Sequence, residues 1–110
     1  MKASTSTVAE VNPTAVARYK EMREEFRNRP GLDPTLCEIL ITTQLAVLGH
    51  EVAFKLHAQR LFQLNMTKER LDDLILVGLG VTFVIPHAAK VLIWVAEAHA
   101  LYLANPESVQ

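Results

Sequence analysis

Cysteine is nearly absent from this 110-residue chain: Cys37 stands alone, which excludes an internal disulfide framework and any paired-cysteine redox or zinc motif. An excess of charge of one sign is also lacking. Eleven Lys and Arg against twelve Asp and Glu leave a formal net charge of −1, so no basic footprint for nucleic acid is present. The opening MKASTST has no apolar segment of the secretory type, and no such signal is expected. The longest uncharged run, from Leu74 to Ala89, is interrupted by Gly78, Gly80, Pro86 and His87 and falls short of the ~20 apolar residues that span a bilayer. It reads as a buried core helix in a cytoplasmic protein that does not enter a membrane. Repeats, low-complexity tracts and strand-like alternation are missing as well. What remains is an all-α class, a compact bundle of about five to six helices.

Half of the residues are apolar and 21% are charged, enough for one domain with a sizeable core. Residues 12–105 form that domain, between a flexible or swapped N-terminal tail, 1–11, and a polar C-terminal tail, 106–110. Asn12-Pro13 is a helix start, an N-cap side chain followed by proline in the first turn. The helix that follows, to about Arg29, carries Val16, Tyr19, Met22 and Phe26 at three-to-four spacing, with charged residues on its other side. Asp33-Pro34 repeats the signal. The next helix, to Leu48, is apolar on nearly all sides and should be buried from several directions, with Gly49 as its stop. A third helix runs from His50 to about Leu64. Asn65 then permits a left-handed turn and Thr67 caps a fourth helix, LDDLILVGLGVTFVI, in which Gly78 and Gly80 make room for a backbone or a ligand. Pro86 opens the last helix, where small residues pack around Trp94; Tyr19 and Trp94 both read as core. Two helices this apolar are hard to bury in a monomer, so a homo-oligomer is expected.

The residues with chemistry gather around Gly49. His50 and His57 are seven apart, which on a continuous helix sets them within about 20° of one face. Glu38 precedes the glycine, and a bend there turns its carboxylate toward the imidazoles. A carboxylate beside imidazoles handles protons, because an imidazole of ordinary pKa, about 6.5, gives or takes one near neutrality. Glu38 in an apolar helix is costly to bury unpaired, so it either pairs with a histidine or reaches an interface. Arg60, one turn beyond His57, can hold a substrate carboxylate, while Phe54, Gly78, Gly80, Phe83 and His87 are candidates to line the pocket. Glu51 reads as a first-turn acid and His99 as a surface or interface histidine. No metal is expected, since ligands seven residues apart on one helix stand about 10 Å apart along its axis, too far to share an ion.

From Asp33 to about Ala98 the order of these features resembles the carboxymuconolactone decarboxylase superfamily, which includes the alkylhydroperoxidase AhpD group. The matching pieces are an apolar helix bearing Glu38, the Gly49-His50-Glu51 turn, FKLHAQRLFQL, NMTKERLDDLI, the glycine-bearing stretch and Ile85-Pro86-His87-Ala88-Ala89. In the AhpD-like frame a glutamate is followed by a CxxC pair and a histidine; here that frame reads Glu38, His50, Ala53, His57. Both cysteines are absent, so thiol peroxidase chemistry, which needs a thiolate and a resolving thiol, is not expected. In the lactone decarboxylases the position four before the histidine is a glutamate, and here it is Ala53. The resemblance implies a helical, AhpD-like fold and a homo-oligomer, a trimer or hexamer. It also implies a cofactor-free lyase or isomerase acting on a small carboxylated or lactone/enol substrate, with His57, Glu38 and His50 as its catalytic set. The alternative is a non-catalytic oligomeric binding or stress-associated protein that kept the fold and lost the thiols.

Overall fold

Three helices of the chain begin at a capping side chain, and one of them ends at a glycine, which settles orphan backbone groups there. The computed structural model describes residues 1–108 and contains six α-helices: α1 Ser4–Val11, α2 Pro13–Arg27, α3 Pro34–Leu48, α4 Glu51–Gln63, α5 Lys68–Leu76 and α6 Ile85–Ala104. A 3₁₀ turn at Pro106–Ser108 follows, and the rest of the expected C-terminal tail lies outside the described residues. Asn12, Asp33 and Thr67 accept from the backbone N–H three residues on, at 3.0, 3.0 and 3.1 Å, and so fix the starts of α2, α3 and α5. Gly49 ends α3 in the left-handed region with φ of 77°. The N–H of His50 reaches back to the Leu45 carbonyl, closing the turn. Asn65, at φ of 72°, makes the left-handed turn between α4 and α5.

The core is built on α4. This helix packs between α3 and α6, and α5 packs mainly on α6 while also touching α3. Phe54, Ala58, Leu61 and Phe62 of α4 meet Val91, Trp94, Val95 and Ala98 of α6. The Phe54 and Trp94 rings stand 6.0 Å apart at 48°. Alanines at the crossing let the two backbones approach. Each large apolar side chain removed from water here contributes roughly 1.5–3 kcal/mol before the cost of ordering it. Lys55 adds a polar clamp at the same crossing. Its ammonium donates to Glu51 at 2.7 Å, one turn away, and to Glu97 of α6 at 3.3 Å. Burial alone would lower its pKa, but the two carboxylates outweigh that and hold it above the ordinary value.

Four expectations change. The long fourth helix stops at Leu76, and residues 77–84 form a turn closed by a single bridge between Leu79 and Phe83. Within it the Gly78 carbonyl accepts from Val81, Thr82 and Phe83, and Gly80 takes φ of 85°, a conformation no helix contains. The N-terminal segment is regular, since Ser4–Val11 is helical and Asn12 alone separates it from α2. α3 buries only Glu38, Thr42 and Ala46, and Leu36, Leu40, Val47 and Leu48 are exposed. Finally, α2 buries only Val16, so Tyr19 is surface while Trp94 is core. No helix among the described residues is long and apolar enough to cross a membrane.

Candidate functional site

Helix α3 brings Glu38 to the face that packs on α4, and α4 presents His57 one helical layer away. The reason lies in the spacing of α3. Glu38, Thr42 and Ala46 recur every four residues and form its single inward stripe, so the carboxylate is turned inward with the small residues that let α4 approach. Glu38 is 6% exposed and His57 keeps 20% of its side chain accessible. Nδ1 of His57 is hydrogen-bonded to Oε1 of Glu38. A carboxylate can only accept, so the proton sits on Nδ1, and Nε2 is left as the nitrogen that can take a proton.

Arg60 completes the group. Its Nη1 lies 3.3 Å from Nδ1 and 3.4 Å from Nε2 of His57. A point in the ring plane and equidistant from both nitrogens would collide with the ring carbon between them, so the guanidinium lies over the imidazole face. Arg60 also lines a cavity of about 580 Å³ between the start of α1, the middle of α4 and the end of α6. Lys2, Ser6, Gln59 and Asn105 give that cavity polar walls, and Leu56 and Leu101 give it apolar ones. Its size suits a small organic ligand, and the Arg60 guanidinium on its wall suits an anionic group on it, while the Lys2 ammonium is held by Glu10.

The other candidate residues fall elsewhere. His50 is the N-cap of α4 with non-helical dihedrals, exposed, and its ring makes no hydrogen bond among the described residues. The left-handed Gly49 sets it before the helix starts, so the one-face argument does not reach it. Phe54 is fully buried against Trp94 and Phe83 is buried against His87, with rings stacked 5.3 Å apart. His87 bonds through Nε2 to the Ala46 carbonyl at 2.7 Å, pinning α6 to the end of α3. A Cβ on Gly78 would meet Oγ1 of Thr82 at 2.4 Å, so that glycine admits its own turn rather than a ligand. Gly80 and Phe83 border a second, shallower hollow formed by residues 79–85. Glu51 is bound to Lys55, and His99 lies edge-on to Phe62 at 5.0 Å. Cys37 is a free, half-buried thiol next to Glu38 in sequence. No group of three His, Cys, Asp or Glu among the described residues is placed to hold a metal ion.

The sequence reading missed Lys2, Ser6, Gln59 and Asn105. No local signal marks them, because they share a wall only once the start of the chain, the middle of α4 and the end of α6 are brought together by the fold. Comparison of the chain with family models, with curated proteins and with solved structures finds no match.

Proposed function

We propose that the chain is a cofactor-free lyase or isomerase in which His57 transfers a proton to or from the carbon of a small carboxylated or lactone/enol substrate. The observation that carries this reading is the Glu38–His57 pair, its carboxylate buried and its ring half-buried, with Arg60 on the ring face and on the cavity wall. Glu38 holds the imidazole in one tautomer and balances the positive charge when Nε2 takes up a proton. Arg60 binds the substrate carboxylate or the enolate oxygen that develops next to the reacting carbon. That role passes to Arg60 from His50, which faces solvent. The likeness of the Glu38 to His57 frame to the carboxymuconolactone decarboxylase superfamily supports the same reading. With both CxxC positions occupied by His50 and Ala53, thiol peroxidase chemistry is not part of it.

The protein works as a homo-oligomer in this proposal. Val77, Val81 and Val84 of the turn after α5 and Ile85 at the start of α6 are each more than two-thirds exposed, an apolar edge that a second subunit would cover. The test is a panel of small carboxylates, lactones and enols screened by thermal shift on the wild type, with each hit then assayed for turnover. Ligand binding raises the apparent stability by mass action. His57→Ala should keep the shift and lose roughly 10²–10⁴-fold in rate, the usual worth of general acid–base help. Arg60→Ala should lose the shift. Full turnover by His57→Ala would refute the assignment. Binding without turnover by the wild type would favour a non-catalytic binding protein.

A further inference from the structure

We propose that α2 pairs antiparallel with the α2 of a second copy of this chain. The inference deepens the reading of the protein as an oligomer by naming one of its contacts. α2 has 15 residues and buries only Val16, although a helix of that length is marginal in water without tertiary packing. Along its flank Ala15, Tyr19, Met22 and Phe26 are spaced four, three and four apart, the heptad spacing of a two-helix seam. All four are exposed, Phe26 by 64% and Tyr19 and Met22 by 47% each.

The charges choose the orientation. Arg18 and Glu25 occupy the equivalent heptad position beside the seam, and Arg23 lies on its other side. In an antiparallel pair with Tyr19 opposite the other copy's Met22, Arg18 of each helix faces Glu25 of the other. Two ion pairs of opposite sign result. A parallel pair would instead set Arg18 against Arg23, like against like. Neither Arg18 nor Glu25 has an ion-pair partner within the chain among the described residues. Such a contact is isologous and closes at two copies, so the assembly has an even number of subunits. The seam is short and falls at the weak end of specific interfaces, so the pairing depends on concentration.

The experiment is light scattering and sedimentation equilibrium on the full chain from micromolar to millimolar concentration. It compares the wild type with Met22→Glu, Arg18→Glu and the doubly exchanged Arg18→Glu/Glu25→Arg. Circular dichroism checks that the helix content is unchanged. The wild type should reach an even-numbered state, and Met22→Glu should halve it. Arg18→Glu should weaken the pairing roughly tenfold, as two attractive contacts become repulsive, and the double exchange should restore it. A monomer or an odd-numbered assembly at every concentration would overturn the proposal. So would an unchanged state in Met22→Glu, or a double exchange that fails to restore what Arg18→Glu loses. Loss of assembly with Val81→Glu while Met22→Glu assembles normally would place the contact on the 77–85 edge and equally overturn it. None of these substitutions alters Glu38, His57 or Arg60, so failure here and failure of the catalytic reading are separately visible.

Discussion

Replacing His57 by alanine should cost more stability than the ring's own contacts explain, because it leaves a carboxylate behind. Glu38 is 6% exposed and its Oε1 is bound to the imidazole. Stranding a buried polar group costs about 1–3 kcal/mol, more if it stays charged. Trimming a half-buried ring to alanine adds about 1 kcal/mol more through lost packing, well below the roughly 3–5 kcal/mol of a core aromatic. Glu38→Gln keeps an acceptor for Nδ1–H and removes the charge, so it should cost about 0.5–1.5 kcal/mol. In the double variant no charge is stranded, and its cost should fall below the sum of the single costs by about 1 kcal/mol or more. Urea unfolding followed by the fluorescence of Trp94, which packs on Phe54 in the core, measures all three at one protein concentration. Costs that add to within about 0.3–0.5 kcal/mol would show that the two groups are not coupled, and the proton-handling pair would lose its basis.

Gly78→Ala should destabilise by about 1–3 kcal/mol, because the new Cβ would stand 2.4 Å from Oγ1 of Thr82 and 3.0 Å from the Phe83 ring. Adding Thr82→Ala should return part of that loss in thermal unfolding, since it removes the nearer atom. Gly80→Ala meets nothing in space but keeps φ of 85°, so its cost should be the backbone strain alone, about 1–2 kcal/mol, and Thr82→Ala should not relieve it. For Lys55 the folded pKa lies above the ordinary 10.5, through hydrogen bonds to Glu51 and Glu97 that outweigh burial. A raised pKa means that the folded state holds the proton more tightly. The stabilisation is therefore complete below about pH 10.5 and is lost as pH rises through the folded value. Wild type should lose stability across that alkaline range relative to Lys55→Met, and parallel pH profiles would contradict the clamp.

Helix starts were legible because their signals are local. Asn12, Asp33 and Thr67 each cap the helix that follows with their own side chains, and each needs only the next three residues to do so. The end of α5 was not legible, because LVGLGVTFVI carries no polar stop, and an uncharged apolar run reads the same as a buried helix or as an apolar turn. Only the left-handed Gly80 and the triple acceptance at the Gly78 carbonyl distinguish them, and both are tertiary facts. The first helix was hidden for a different reason. STSTVAEV has weak helix formers, no side-chain cap at Ala3 and no buried residue, so neither a cap nor an apolar stripe announces it.

The site shows the same division at closer range. His57 and Arg60 are three apart on one helix, so their meeting follows from helical geometry alone. Glu38 belongs with them because it is the one acid on the inward stripe it shares with Thr42 and Ala46, and an acid buried there must find a partner. His50 satisfied the same arithmetic and yet lies outside, because counting turns presumes that the helix has already begun. It begins one residue later, at Glu51, where Gly49 releases the chain from its left-handed turn. A helix-periodicity argument is therefore only as good as the cap it starts from. Gly49→Ala tests that dependence, since strain at φ of 77° would be relieved by moving the α3–α4 turn and with it the angle at which Glu38 meets His57. Proton transfer should then fall by more than the loss of stability explains, while a turnover rate that follows only the folded fraction would mean that the turn does not set the pair.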